Sequence, residues 1–257
     1  MNIFANFDVA QLSLYLFWLF FAGLVVYLQR EALREGYPME RERDGKPFMA
    51  GPFGDIPSAK TFKLPHGRGD IAYPDVASEE REIAKQYAMK PTAPWAGSPF
   101  EPTGDPMVDG VGPAAWAERQ DVVELTIDGH ERIVPFRAHE GWDVASEGPD
   151  IRGWNALGCD GKVAGKVLDY WVDRSESILR YIEIDLGERT VLMPWNAVKV
   201  AKSQKVVKID SIRADQFAGI PGIKDPHSVT RLEEERVMAY VAGGKMYAAV
   251  ERQEPWL

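Results

Sequence analysis

Titratable side chains gather on two short segments in the second half of the chain. The first segment is a hairpin pattern, and its acidic and imidazole side chains are Glu124, Asp128 and His130. The second is GKVLDYWVDRSES with the residues around it, and its charged side chains include Asp169, Asp173, Glu176 and Arg180. Clustered carboxylates and an imidazole that titrates near neutrality can collect protons and pass them inward. A solvated face or a turn is the competing interpretation for each single residue, because charge on a small β domain is commonplace.

The sequence indicates no chemistry beyond this. It contains no phosphate loop, no nucleophile elbow and no spacing typical of zinc ligands. The string GVGPAA from residue 110 loosely matches a dinucleotide fingerprint, but no predicted strand precedes it and Pro113 interrupts it. The four histidines are scattered, and the apolar run near the N-terminus has no imidazole that could ligate a haem or chlorin metal. We therefore predict no catalytic, metal-binding or cofactor-binding residue in this chain.

Short strands must position the charged side chains. VVELTI, the turn signal Asp128-Gly129 and ERIVPF predict a hairpin. VAGKVLDYWVD, SILRYIEIDL, RTVLMPW and KVVKID predict further strands at short spacing, which is typical of a small barrel or sandwich. From residue 181 to 186, apolar side chains alternate with Tyr181, Glu183 and Asp185, so we expect one buried and one wet face. We place this mainly β domain between residues 117 and 249.

A helix is predicted near the C-terminal end of this domain, from Arg231 to Ala242. Thr230 and Glu233 form a capping box that begins it, and the glycine pair at 243–244 is expected to end it. The residues from 250 to 257 are interpreted as a tail.

One uncharged apolar run, residues 9–29, predicts a transmembrane helix. Such a run would form a helix of about 31 Å, close to the hydrocarbon thickness of a bilayer. No Lys or Arg precedes the run, which argues against a cleaved signal peptide. Arginines follow it at 30, 34, 41 and 43, so the positive-inside rule puts residues 1–8 in the periplasm and the body in the cytoplasm.

The overall composition agrees with a cytoplasmic body and restricts its partners. The single cysteine, Cys159, forbids an intrachain disulfide and suits a reducing compartment. The formal net charge of −9 argues against a nucleic-acid partner. An acidic body also gains no attraction to an anionic leaflet, so the anchor and protein contacts must hold it there.

The segment from residue 30 to 116 is not an ordinary globular core. Most of the 18 prolines lie between Pro38 and Pro113, which excludes long helices and central strands there. One short helix is predicted from Ser78 to Met89. A disordered linker is the usual interpretation of such composition. The segment nevertheless keeps many apolar side chains, such as Trp95, so we favour an extended, ordered segment draped over a partner protein.

Several long strings resemble the H subunit of the photosynthetic reaction centre of purple bacteria. They are REGYPME, GPFGDIP, KTFKLPHGRG, TGDPMVDGVGPAAW, GKVLDYWVDRSES, FAGIPGIKDP and VTRLEEERVMAYVAGGKMYAA. The resemblance runs from the anchor to about Ala249, and its barrel portion is similar to the PRC-barrel domain. It implies one N-terminal transmembrane α-helix in the intracytoplasmic membrane, a small cytoplasmic PRC-type β-barrel and a C-terminal helix.

The resemblance implies a structural and proton-conducting role within a larger complex. The chain would cap the cytoplasmic face of the L and M subunits, shield the quinone sites and deliver protons to the secondary quinone. The L and M subunits would hold bacteriochlorophylls, bacteriopheophytins, quinones, carotenoid and non-haem iron, and this chain would ligate none of them. A cytochrome subunit, a light-harvesting antenna and membrane lipids would be further partners.

Proton-route positions of that family match residues of this chain one by one. Asp173 and Glu176 match two acidic positions used for proton delivery, and Arg180 matches a basic neighbour. Glu124 matches an acidic position beside the hairpin where protons enter. Asp215, in ADQFAGIP, is interpreted as a further surface acid of the route.

Two positions at the proton entrance depart from the family pattern. His130 matches one of two surface histidines, but the other position is Asp128 here and a nearby family aspartate is Thr126. The cluster that can bind transition metals is therefore incomplete, and we expect weaker inhibition by zinc or cadmium. Asp128 and His130 can still collect protons.

Two other functions compete with this interpretation. A membrane-tethered PRC-barrel adaptor would recruit a soluble partner without pigments, and it would need only a flexible polar linker between anchor and barrel. A membrane-anchored enzyme would need a catalytic constellation, which the sequence does not contain. The aromatic-rich stretch from Tyr37 to Trp116 favours the reaction-centre subunit over the adaptor.

Overall fold

Two units can be distinguished along the chain. The computed structural model describes residues 8–32, 39–40, 47–48, 59–73, 86–95, 97–139 and 141–253. One unit comprises Met1–Gln86 and Ala93–Pro99, and the other comprises Tyr87–Thr92 and Phe100–Leu257. The side chains predicted to carry protons, from Glu124 to Arg180 and Asp215, all lie in the second unit.

The first unit contains helix α1, Val9–Ala32. Asp8 caps it, because one carboxylate oxygen of Asp8 accepts a hydrogen bond from the Ala10 N–H at 3.1 Å. The helix extends past the predicted end at residue 29, and none of its residues is buried. Its 24 residues span about 36 Å. The helix is therefore long and apolar enough to cross a membrane.

Short antiparallel hairpins form in the Pro-rich region. In the first unit, β1 (Met39–Glu40) pairs with β2 (Pro47–Phe48), and β3 (Lys60–Lys63) pairs with β4 (Asp70–Tyr73). In the second unit, β5 (Met89–Pro91) pairs with β6 (Phe100–Pro102). The predicted helix from Ser78 to Met89 lies mostly outside the described residues. Its described end is wrong, because residues 86–88 are not helical and Met89 begins β5.

This region exposes aromatic side chains where it is described. Phe62, Trp95 and Phe100 each expose half or more of their surface. Large apolar side chains usually bury their surface in a folded chain or against a partner. Their exposure agrees with a segment draped over a partner protein, which stays a prediction.

A seven-stranded sheet forms the body of the second unit. Its strands are β7 (Ile133–Pro135), β8 (Asn155–Leu157), β9 (Val163–Asp173), β10 (Ile178–Asp185), β11 (Thr190–Pro194), β12 (Val198–Ala201) and β13 (Val206–Ile209). The strand order is β11-β10-β9-β8-β13-β12, and β7 also pairs with β9. All pairs are antiparallel except β8 with β13. Among the described strands β11 and β12 do not pair, so hydrogen bonds do not close the sheet. The predicted mainly β domain is confirmed.

The wet face predicted for β10 is wrong at Tyr181 and Glu183 and confirmed only at Asp185. Tyr181 and Glu183 are buried together with the isoleucines between and after them. Glu183 is covered because its carboxylate accepts a hydrogen bond from the Trp171 indole N–H at 3.1 Å and pairs with Arg137. Both faces of β10 are therefore buried at residues 181–184, and the strand becomes exposed only at its end, at Asp185.

Two helices complete the second unit, the short α2 (Pro106–Asp109) and the C-terminal α3 (Arg231–Tyr247). The predicted capping box begins α3, because Thr230 accepts from the Glu233 N–H and Glu233 accepts from the Thr230 N–H. The predicted end at the glycine pair is wrong, because α3 continues through it. A Cβ on Gly243 would lie 2.5 Å from the Cβ of Ala114, so the glycines serve close packing instead.

Candidate functional site

Arg132 lies at the centre of three carboxylates that the sequence places far apart. Its Nε and Nη2 both lie 2.9 Å from Oδ2 of Asp173. Nη2 also lies 2.6 Å from Glu176, and Nη1 lies 3.2 Å from Glu124. Arg180 adds a second guanidinium, with Nε 3.8 Å from Asp173. We call these five residues the Arg132 cluster.

The predicted hairpin positions one half of this cluster. The Thr126 N–H donates to the His130 carbonyl at 2.7 Å, and Gly129 takes the left-handed conformation that the turn requires. The Arg132 N–H then donates to the Glu124 carbonyl at 2.9 Å, which holds these two residues opposite each other. The Asp128-Gly129 turn is confirmed, but the predicted strand VVELTI is wrong. Only an isolated bridge between Leu125 and Glu131 joins the two halves, and the second half continues as β7 beside β9.

The turn from β9 to β10 positions the other half. Asp173 is the last residue of β9 and pairs with Ile133 of β7. Because Arg132 directly precedes Ile133, its side chain lies close to Asp173. Its Oδ1 accepts hydrogen bonds from the N–H groups of Ser175 at 2.9 Å and Glu176 at 3.1 Å. These bonds form a turn that brings Glu176 back toward Arg132. Asp173 therefore both shapes this turn and binds the guanidinium.

Asp173 has no solvent-exposed surface, whereas Glu176 and Glu124 are partly exposed. The hydrogen bond to Asp173 raises the pKa of Arg132 further above its usual range, so this guanidinium stays charged. If all three carboxylates were ionised, two guanidinium charges would leave one negative charge uncompensated. The cluster therefore combines one fully buried carboxylate with two carboxylates that solvent reaches.

A cleft of about 560 Å³ lies beside the Arg132 cluster in the same unit. Glu124 and Arg180 line it, together with Tyr181 and Glu234. The Tyr181 hydroxyl donates a hydrogen bond to Glu234 at 2.8 Å. Burial raises the pKa of Glu234 above the usual range of a glutamate, and burial also raises the pKa of Tyr181, so the hydroxyl remains a donor. The cleft thus holds one carboxylate, that of Glu234, with increased proton affinity.

The sequence prediction missed Arg132 and Glu234. Arg132 is the strand residue that faces Glu124 across the predicted hairpin, so cross-strand pairing was an available signal. Glu234 has a weaker signal, because an acidic residue in the first turn of a helix is common for electrostatic reasons alone. Its contact with Tyr181 depends on how α3 packs on β10, which no local pattern specifies.

The structure does not bring every predicted residue to the cluster. Asp128 and His130 are exposed at the hairpin tip, and Asp215 is exposed with Arg213 at 3.2 Å. Within the described ranges, no hydrogen bond joins these three residues to the Arg132 cluster. The buried Asp169 belongs to a different group, because it accepts a hydrogen bond from the Arg137 N–H at 3.0 Å.

Thr126 is one of the two hairpin positions at which this chain departs from the metal-binding pattern of the family. Thr126 uses its hydroxyl within the turn, where it accepts a hydrogen bond from the His130 N–H at 3.2 Å. The residues that the structure describes contain no group of three His, Cys, Asp or Glu side chains suited to a metal ion. Weaker inhibition by zinc or cadmium stays a prediction.

Glu234→Gln is expected to change how stability depends on pH. Because the pKa of Glu234 is raised in the folded state, the free energy of unfolding falls as the pH rises from the ordinary glutamate range, near 4.5, toward the raised value. Glutamine keeps an acceptor for Tyr181 but cannot ionise, so the variant should lose this fall. Urea unfolding across this pH window measures the difference.

Glu235→Gln is the matched control, because the neighbouring Glu235 pairs with Arg119 near the surface. Its stability should follow the parent protein across the whole window. Parallel pH profiles for Glu234→Gln and the parent would contradict a buried, proton-binding Glu234.

Comparison with known protein families matches two parts of the chain. Residues 1–138 match the family described as photosynthetic reaction centre, H-chain N-terminal region. Residues 143–216 match the PRC-barrel domain. The first match spans more than half of the chain and includes helix α1, the Pro-rich region and the hairpin that carries Arg132.

Proposed function

The chain belongs to the H-chain family of photosynthetic reaction centres, and from that premise we propose that it conducts protons toward the secondary quinone. The H-chain is a structural subunit of a reaction-centre complex with other subunits, and α1 provides one helix able to cross a membrane. The observation that carries the proposal is the Arg132 cluster, in which the fully buried Asp173 meets the partly exposed Glu176 and Glu124.

The proposed route begins at the exposed hairpin tip. Asp128 and His130 collect protons there, because both side chains are exposed to solvent and each can bind a proton. The Arg132 cluster then takes up a proton as a unit, with Asp173 as its buried member. Ordered water in the adjoining cleft can link the cluster to Glu234. Arg180 lines this cleft and also contacts Asp173, so it balances negative charge at the point where the two meet.

The proposed partners are the L and M subunits, whose cytoplasmic face this chain caps. Those subunits hold the bacteriochlorophylls, bacteriopheophytins, carotenoid, non-haem iron and quinones, while this chain ligates none of them. The second unit then lies in the cytoplasm, and the N-terminus lies in the periplasm of a purple bacterium. The Pro-rich region shields the quinone sites from bulk water, and its exposed aromatic side chains provide apolar surface for that contact.

Asp173→Asn tests this function directly. Asparagine has nearly the same shape and can still accept the two backbone N–H groups of the turn, but it cannot carry a proton. In the intact complex, proton uptake on the second reduction of the secondary quinone should slow at least about tenfold. Primary charge separation should be unchanged. A pH-indicator dye after two light flashes measures the uptake, and transient absorption measures charge separation.

Asp185→Asn is the matched control, because Asp185 is an exposed residue at the opposite end of β10. Its side chain accepts a hydrogen bond from the Gly187 N–H, which asparagine can also accept. Unchanged proton uptake in Asp173→Asn would remove Asp173 from the route. Loss of charge separation in an assembled Asp173→Asn complex would overturn the proposed role of this chain.

A further inference from the structure

A second, mostly apolar cavity of about 420 Å³ opens in the same unit. Strands β9 and β12, the segment after β11 and the loop that contains Trp142 form its walls. The side chains that define its apolar interior are Phe136, Trp142, Tyr170, Val172, Trp195 and Val200. Its volume falls within the range of about 300 to 1,000 Å³ that is typical of small-molecule sites.

Aromatic contacts define the shape of this interior. The ring centroids of Phe136 and Tyr170 lie 5.3 Å apart, and those of Phe136 and Trp142 lie 6.2 Å apart. Tyr170 is almost fully buried, and its hydroxyl already accepts a hydrogen bond from the Ile151 N–H at 2.8 Å. The Tyr170 hydroxyl is therefore satisfied, and the rings offer a mostly apolar surface, which favours an apolar chain over a polar ligand.

The rim of the cavity carries Asp143 and Lys202, which have opposite charges. Asp143 is exposed and lies 3.4 Å from Arg152, a guanidinium that also pairs with Asp150 at 2.6 Å. Lys202 is exposed at the rim, and no carboxylate among the described residues pairs with it. An apolar cavity with one free ammonium at its mouth is complementary to an anionic head on an apolar tail.

We propose that this cavity binds a single-chain carboxylate amphiphile, such as a medium-chain fatty acid. The alkyl chain lies against Phe136, Trp142 and Val200, and the carboxylate lies at Lys202. No bond forms or breaks, so the site is a binding site only. A chain anchored by α1 meets such amphiphiles at the high local concentration of a membrane surface.

Fluorescence quenching can locate the ligand in this cavity. The full chain is placed in lipid nanodiscs and titrated with octanoate that carries bromine on its terminal carbon, with empty nanodiscs subtracted. Trp142 lines this cavity but not the cleft beside the Arg132 cluster. Saturable quenching is expected, and Trp142→Phe should lose part of it. Trp116→Phe, which alters a tryptophan that packs on Arg236, should keep the full amplitude.

The head group and the cavity volume are tested separately. Octanoate, octanol and octylammonium are each used to displace the brominated octanoate. The affinity of octanoate should exceed that of octanol about two- to fivefold, and octanol should bind more tightly than octylammonium. Lys202→Met should abolish this order. Lys208→Met is the control for charge. Val200→Phe fills the cavity and should weaken binding at least about tenfold, whereas Leu168→Phe, on an exposed part of β9, should not.

Three results would overturn the proposal. One is the absence of saturable quenching in the parent protein. Another is equal competition by the three octyl compounds, which needs no variant and so does not depend on folding. The third is quenching of the Trp142 component by brominated bilayer lipid without added octanoate, which would assign the cavity to a phospholipid chain.

Discussion

Replacing Arg132 with methionine is expected to lower the free energy of unfolding of the second unit by about 3 to 5 kcal/mol at neutral pH. Methionine keeps the length and much of the packing of the side chain but removes its charge. Asp173 is fully buried, so its carboxylate would lose its closest positive partner without gaining water. Arg180 cannot compensate, because its Nε lies 3.8 Å away and the side chain is partly exposed.

The loss should depend on pH in a defined direction. At neutral pH the variant keeps three carboxylates with one guanidinium, so repulsion adds to the burial of an unpaired charge. Protonation of the carboxylates removes both penalties as the pH falls. The difference in unfolding free energy between the variant and the parent should therefore shrink from neutral pH toward about pH 4.

Urea unfolding at both pH values, followed by tryptophan fluorescence, measures this difference. Arg174→Met is the matched control, because Arg174 lies next to Asp173 but bonds a backbone carbonyl, that of Glu131, at 3.4 Å. The control should cost less than about 1 kcal/mol, with little dependence on pH. An equal loss in both variants, or a loss that stays constant with pH, would show that Arg132 is not the counter-charge of Asp173.

The Arg132→Met variant also helps to interpret proton uptake in Asp173→Asn. Asp173→Asn removes the charge that Arg132 neutralises, so it should stabilise the Arg132→Met background rather than add to its loss. A double variant that recovers stability but still takes up protons slowly would separate the two contributions of Asp173. Its role in the turn and ion pair is then distinct from its role as a proton carrier.

The sequence predicts elements well where the physical signal is local. The β-branched and aromatic side chains of VAGKVLDYWVD and the Asp128-Gly129 turn each favour a backbone conformation within a few residues, and the strand and turn form as predicted. The capping box at Thr230 is equally local. β8 and β12 have only three and four residues, which is too short for a periodicity to be distinguished from chance.

Errors occur where tertiary packing decides the outcome. Glu183 has the polarity of a solvated position, yet it is buried because Trp171 and Arg137 provide its hydrogen bonds. The resemblance identifies the acidic residues Asp173 and Glu176, and the hairpin pattern places Arg132 opposite Glu124. The contacts of Arg132 with Asp173 and Glu176 depend on the pairing of β7 with β9, which no local pattern specifies.

Substituting both Gly243 and Gly244 with alanine is expected to lower the unfolding free energy of the second unit by about 2 kcal/mol. A Cβ on Gly243 would lie 2.5 Å from the Cβ of Ala114, and one on Gly244 would lie 2.3 Å from Ile212 and 2.7 Å from the Ser211 carbonyl oxygen. Each overpacked contact costs about 1 to 3 kcal/mol. These contacts outweigh the gain of about 1 kcal/mol that alanine gives over glycine in a helix. Urea unfolding measures the sum.

Glycine is also the usual signal for the end of a helix. The double substitution therefore distinguishes two roles of Gly243 and Gly244, namely ending α3 and allowing α3 to pack closely on its neighbours. If they ended α3 by conformational freedom, alanine would extend the helix and the variant would be as stable as the parent or more so. Because α3 instead continues to Tyr247, the glycines are needed for the close approach of α3 to Ala114 and Ser211. Gly23→Ala is the control, because no atom lies within 4 Å of a Cβ at that position in α1. It should leave the unfolding of the second unit unchanged, and a loss confined to Gly243 and Gly244 then assigns the effect to packing.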